Sequence, residues 1–311
     1  MTTNQLTGTA VPWRGVAAFV ALAFCGAWVA MLPLILNGFR RTEAAHDMTP
    51  LIQVCIAAMM LTPGLAAYVV LRRMHRPASI RVAIGLVRPR PAGRLVRESL
   101  LALAVPCALQ LLALGIAALA GTYHLDLADF SGFRAQFAPD TVGQSGVPVA
   151  ELVVWLGTLV LGMVLWLPMF FGEELGWQGY LLPRLAPLGP WPAMGLTALV
   201  FALWHLPTLI MGGQYPGHSP VTSVIYMVIS TVLLVPIFAW LRMRSGSVWP
   251  AVLAHTFVSH AGVRLVWLFS DASHPIDPLQ VGLNGWPGWI AMGTFVAFLA
   301  LTGRLRWTHD A

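Results

Sequence analysis

Long apolar runs separated by short polar connections make up almost the whole chain, and the runs recur at one characteristic length. Crossing about 30 Å of hydrocarbon takes about 20 helical residues. Eight stretches suit that length: Gly15 to Leu36, Leu51 to Leu71, Leu100 to Ala120, Val149 to Phe171, Trp191 to Met211, Val221 to Leu241, Val248 to Phe269 and Trp286 to Leu301. The pattern predicts an all-α fold, a polytopic transmembrane helical bundle with about eight membrane-spanning helices. The first run is too long for the apolar core of a signal peptide and is followed by further spans, so it is expected to be a retained helix.

Composition removes the soluble alternative. Of 311 residues, 58% are hydrophobic and 10% are charged, where soluble domains carry about a quarter charged. All 18 basic side chains are arginines and the net charge is +6. These arginines sit in the connections between apolar runs rather than on one face among aromatics, so no nucleic-acid partner is expected; the partner implied is the lipid bilayer. The connection between the second and third runs holds Arg72, Arg73, Arg76, Arg81, Arg88, Arg90, Arg94 and Arg97, which marks it as cytoplasmic. Alternation then puts Arg14, Arg184, Arg242, Arg244, Arg304 and Arg306 on the same side and Asp126, Asp129, Asp140, Asp271 and Asp277 on the other. A multi-pass cell-membrane protein with both termini cytoplasmic is expected. Arg40 and Arg41, beside Glu43 and Asp47, run against the rule.

The longest outer connection, residues 121–148, is rich in Gly, Asp and Ser and is too short and polar for a second domain. Cys25, Cys55 and Cys107 each lie inside an apolar run with no Cys-x-x-Cys, which reads as packing. The tripeptide Trp-Pro-Ala opens two of the runs, at Trp191 and Trp249, as suits an interfacial Trp and a Pro in a first helical turn.

Ionisable side chains at membrane depth are costly and therefore point to function. They fall in three clusters: Glu173-Glu174 with Gln178, Phe201 to His205, and His255 to Ser259 and His260, followed by Arg264. Neighbouring helical residues point about 100° apart, so Glu173 and Glu174 are expected to take different roles, one acting on a water and the other anchoring. Glu174 with Gln178, Phe201 with His205 and His255 with Ser259 share helix faces at i, i+4. Three helices thus aim polar groups at one cavity. The alternative for each residue alone is structural: a carboxylate bracing a kink, a histidine bonded to a backbone carbonyl. Arg264 reads as structural, and His260, about 140° from His255 around a helix, is left open. Counted from the Trp-Pro entries at about 1.5 Å per residue, His255 lies roughly 9 Å and His205 roughly 21 Å deep, so the fifth run must start lower or be tilted or broken.

Taken in order, the clusters resemble the CAAX prenyl protease type II family, also called the CAAX protease and bacteriocin-processing family of intramembrane proteases. That family carries E-E-x-x-x-R, F-x-x-x-H and H-x-x-x-N or H-x-x-x-D on separate helices, and Glu173-Glu174, Phe201 to His205 and His255 look like those motifs. The likeness covers about Val149 to Arg264 and divides the chain into N-terminal helices and outer loop (1–148), a protease-like core (149–270) and a last helix with tail (271–311). Gln178 stands where the family has Arg, and Ser259 where it has Asn or Asp. Gln178 can bond Glu174 without neutralising it, leaving Glu174 to be protonated or to find another cation such as Arg184.

The resemblance implies an intramembrane endopeptidase acting on a peptide or membrane-protein substrate. Glu173 would be the general base, His205 would orient the water or bind a metal, and His255 with Ser259 would stabilise the oxyanion. Glu173, His205 and His255 would supply three ligands for a divalent ion, zinc first, and the same set works without metal. Two other readings stand beside it. One is a catalytically impaired relative serving as a binding or bacteriocin-immunity factor, favoured by Gln178 and Ser259; the other is a small proton-coupled transporter.

Overall fold

The computed structural model describes residues 10–41 and 49–306. Glu43 and Asp47 lie outside the described residues. Helices follow the apolar runs closely: α1 Trp13–Leu36, α2 Pro50–Val70, α3 Ala92–Leu119, α4 Val149–Glu174, α5 Pro190–Trp204, α6 Pro220–Ser245, α7 Trp249–Thr256 and α8 Trp286–Leu301. Several start with Pro in the first turn, where a missing N–H costs nothing. Counting their continuations, six are long and apolar enough to cross a membrane, and Pro190–Trp204 and Trp286–Leu301 are shorter apolar helices. The chain is a multi-pass membrane protein. On α4, Val153, Val154, Leu156, Val160, Leu161, Val164 and Leu165 are all exposed, an apolar face that only lipid solvates at no cost.

The connections meet as alternation requires. At the arginine-rich end, Arg94 Nη2 donates to the carbonyl of Arg244 (2.6 Å), and the Val248 amide donates to the carbonyl of Gly85 (2.9 Å). A buried carboxylate anchors this end: Glu98 accepts from Arg97 Nη2 and Arg244 Nε, each at 2.8 Å. At the opposite end, loop 121–148 folds back on the segment after α7, with the Gly132 amide bonded to the carbonyl of Ser270 (2.9 Å). That loop carries one more arginine against the charge rule. Arg134 is only 3% exposed and donates to the carbonyls of Asp129, Thr141 and Gly146, so it is a loop brace rather than a topology signal. Arg41 does the same on a smaller scale, donating from Nη1 to the carbonyl of Gly213 (2.8 Å).

Two departures from the expected spans matter for the site. The fourth run does not stop at Phe171. It continues through a π-helical segment, Leu175–Leu181, to Leu188, 40 residues in all. The fifth is a 15-residue helix ending at Trp204, followed by a separate short helix, Leu206–Leu209. Together they form a hairpin turning at Gly189 (φ 89°). Glu174 lies 14 residues before Leu188 and His205 lies 15 after Pro190, so at about 1.5 Å per residue both stand roughly 21 to 22 Å from the turn. Trp249 meets the bundle much higher, stacked on Phe171 (ring centroids 5.0 Å apart). The fifth run therefore begins below the seventh, which resolves the mismatch in depth between His205 and His255.

Glycine contacts set the height of the carboxylates. On α2, a methyl group built on Gly64 would come within 2.7 Å of the Gly172 carbonyl oxygen, and one on Gly176 would run into Pro63. Gly172 and Gly176 flank the Glu pair and lie flush against α2, the close backbone approach that small residues permit between membrane helices. The carboxylates are left to face inward. Gly64→Val is expected to destabilise the fold by about 1–3 kcal/mol through overpacking. Thermal unfolding of the purified protein in detergent checks this, and an unchanged midpoint would remove Gly64 from the account.

Candidate active site

Each of the three sequence clusters coincides with a break in regular α-helix. The π-helical segment begins directly after Glu174, a second one (Phe257–Gly262) begins two residues after His255, and α5 ends at His205 itself. Wide turns of this kind are rare inside helices and recur at functional sites.

At the end of α5 the His205 amide bonds to the carbonyl of Ala202 (3.1 Å), leaving the Phe201 carbonyl without the amide that a continued helix would supply. The imidazole takes that place: Nδ1 lies 3.0 Å from the Phe201 oxygen. A carbonyl only accepts, so Nδ1 carries the proton and Nε2 is left as an acceptor. The bland reading, a histidine tied to a carbonyl, holds for one nitrogen and leaves the other free to act.

His255 and Glu174 meet directly. His255 Nδ1 donates to Glu174 Oε1 across 2.7 Å, joining α7 to α4 with both residues buried. Glu173, 2% exposed, lies beside this pair and the Trp177 indole, and its Oε2 has no hydrogen-bond partner among the described residues. Adjacent in sequence, the two carboxylates have separate surroundings, as their angular offset requires. Glu174 is anchored through Oε1 to His255, whereas Glu173 has no histidine bond; Oε2 of each carboxylate is without a partner among the described residues. Aromatic rings close the site: Phe170, Phe201 and Phe238 lie 4.8, 5.6 and 5.3 Å from the His255 ring. Phe201 also lies 4.9 Å from the His205 ring and 5.4 Å from Trp177, so it is wedged between the two imidazoles. Charges inside such an apolar box interact strongly.

Three expected side-chain placements differ from what the structure shows, and His260, left open above, is placed. Ser259 is exposed while His260 is buried. Both residues lie within the π-helical segment, where the i, i+4 spacing of a regular α-helix no longer assigns faces. His260 faces α4 at Gly162 and accepts from Arg264 Nη1 at Nδ1 (3.1 Å), a structural pair. Gln178 is fully buried, but neither its oxygen nor its nitrogen bonds Glu174 or any other described group. Arg184 does not serve Glu174 either; its guanidinium stands 5.5 Å over the Tyr180 ring. His255 takes the part expected of a cation. Among the described residues no group of three His, Cys, Asp or Glu side chains stands arranged as a metal site.

Residues 147–261 match the Rce1-like family of type II CAAX prenyl endopeptidases. The matched segment contains all of Glu173, Glu174, Phe201, His205 and His255 and ends inside the second π-helical segment. A second likeness is to the Na(+)/H(+) antiporter NhaA of Rhodopirellula baltica, 26% identical over 128 residues, 39% of this chain and 28% of that protein. The chain thus spans under a third of the antiporter's length.

The Glu174–His255 bond yields a stability test. Breaking a buried pair by removing one partner costs about 3–5 kcal/mol, so Glu174→Gln and His255→Ala should each lower the unfolding midpoint in detergent sharply. The double substitution should cost clearly less than the two added together. Simple additivity would show that the two residues are not coupled.

Proposed function

We propose that the chain is an intramembrane endopeptidase that hydrolyses a peptide bond of a peptide or membrane-associated substrate by a water activated at Glu173. The observation that carries this reading is the division of labour between adjacent carboxylates: Glu174 is held by His255 at 2.7 Å, and Glu173 is buried beside them with an unengaged oxygen. The match of residues 147–261 to a family of endopeptidases supports it.

The steps use this chain's own groups. Glu173 accepts a proton from a water whose other hydrogen is held by His205 Nε2, and the oxygen attacks the substrate carbonyl carbon. Negative charge moves to the carbonyl oxygen. With Ser259 exposed, the donors suited to that oxyanion are the Nε2–H of a His255 imidazolium whose charge Glu174 balances at Nδ1, and the buried Trp177 indole N–H. Collapse breaks the C–N bond, and the leaving amine takes the proton back from Glu173. A catalytically impaired relative serving as a binding or immunity factor is another reading, favoured by Gln178 and Ser259, neither of which makes the contact that the family motif assigns to its position.

A proton-coupled transporter is the second reading, favoured by the antiporter likeness and by the helix break at His205. Peptide hydrolysis separates the two. The detergent-purified protein is expected to cleave members of a quenched fluorescent peptide panel that includes a farnesylated CAAX peptide, Glu173→Gln to lose about 10²-fold or more of the rate, and chelator to leave it unchanged. No cleavage, with proton-coupled flux in vesicles, would transfer the site to transport; loss of cleavage on chelation would restore the metal.

A further inference from the structure

At the end away from the arginine-rich one, loop 121–148 and the start of α4 line a recess of about 450 Å³. That volume falls within the roughly 300–1,000 Å³ typical of small-molecule sites. The loop contributes Phe137, which ends the short helix Ser131–Phe137, and Asp140 in the turn Pro139–Thr141. Helix α4 contributes Glu151, Val154, Trp155 and Thr158, which share one face at i, i+3, i+4 and i+7. The Phe137 and Trp155 ring centroids are 5.8 Å apart.

The polar groups of this recess lack partners. Neither the Asp140 nor the Glu151 carboxylate has a hydrogen-bond or ion-pair partner among the described residues. A first-turn carboxylate suits a helix N-terminus, which accounts for Glu151 but not for a second carboxylate on the loop side. Arg134, the one arginine in residues 121–151, gives its donors to the carbonyls of Asp129, Thr141 and Gly146. Trp155 is 9% exposed, and its indole N–H has no acceptor among the described residues. The hydroxyls of Thr141 and Thr158 already donate to the carbonyls of Ala138 (2.7 Å) and Trp155 (2.8 Å). The recess therefore calls for a cation to meet two carboxylates and an acceptor to meet one indole, which can only donate.

Its position says what supplies them. At about 1.5 Å per residue, Trp155 lies roughly 9 Å into α4. Beyond Thr158 the same face continues as Leu161 and Leu165, both exposed and part of the apolar surface that lipid covers. A lipid seated here brings acyl chains for that face. If its headgroup carries an ammonium beside phosphate and ester oxygens, one molecule brings both the cation and the acceptor. Aromatic faces add attraction for the ammonium, whereas a purely anionic headgroup would meet two like charges.

We propose that this recess seats the headgroup of a bilayer lipid bearing an ammonium group, with Asp140 and Glu151 as its counter-charges, the Phe137 and Trp155 rings against it, and the acyl chains along Leu161 and Leu165. The site stands apart from the reaction centre and does not depend on the peptidase reading.

Equilibrium binding in detergent tests this. Full-length protein is titrated into three lipids that carry the same fluorescent acyl chain and differ only in headgroup: phosphatidylethanolamine, phosphatidylcholine and phosphatidylglycerol. One or both ammonium lipids should bind at least about fivefold tighter than the glycerol lipid. Asp140→Asn combined with Glu151→Gln, near-isosteric changes at an exposed and a half-buried position, should bring all three lipids within about twofold of one another. Equal binding of the three lipids by the parent protein, or a preference that survives the double substitution, overturns the proposal. Displacement of the ammonium lipid by an equal concentration of soluble phosphoethanolamine or phosphocholine also overturns it, because the acyl chains would then contribute nothing. Should the double variant fail to fold, the parent comparison still decides.

Discussion

Everything about the site depends on one buried bond, from His255 Nδ1 to Glu174 Oε1. Placing a carboxylate between membrane helices is expensive, and the expense is recovered only when a hydrogen-bonded partner of suitable charge meets it in good geometry. The bond fixes α7 against α4, holds a proton at Nδ1 of His255, and leaves Glu173 as the carboxylate with no histidine bond. Phe201 between the two imidazoles and the glycine contacts between α2 and α4 hold the frame in which that bond is possible.

Helix irregularity is the second organising fact. A straight helix shows a given face once per turn, so two successive acidic residues would be split between the interior and lipid. Both Glu173 and Glu174 are buried where Gly172 and Gly176 lie flush on α2, and α4 widens into π-helix directly after them. A second π-helical segment follows His255, and within it Ser259 is exposed and His260 buried. At His205 the helix ends, and the lost backbone bond becomes the histidine's own support.

The spans were legible in the sequence because hydrocarbon demands long apolar runs, and the three clusters because ionisable groups at that depth are rare. Their convergence in part also followed from order and spacing: Glu174, Phe201 and His255 do meet. Side-chain partners were not legible. The i, i+4 pairings of Glu174 with Gln178 and of His255 with Ser259 assumed unbroken α-helix, and a π turn leaves no mark in residue spacing. Arg242 and Arg244 looked alike as loop cations, yet one is neutralised by Glu98 and the other is buried without a carboxylate among the described residues.

The central claim is that Glu173 works on water as a base and forms no bond to the substrate. Single-turnover cleavage in ¹⁸O-enriched water, followed by mass spectrometry of both product and protein, tests it most directly. The account predicts one ¹⁸O in the new carboxyl group of the product within the first turnover and none in the protein. An unlabelled first product with ¹⁸O incorporated at Glu173 would make that residue a nucleophile and contradict the account.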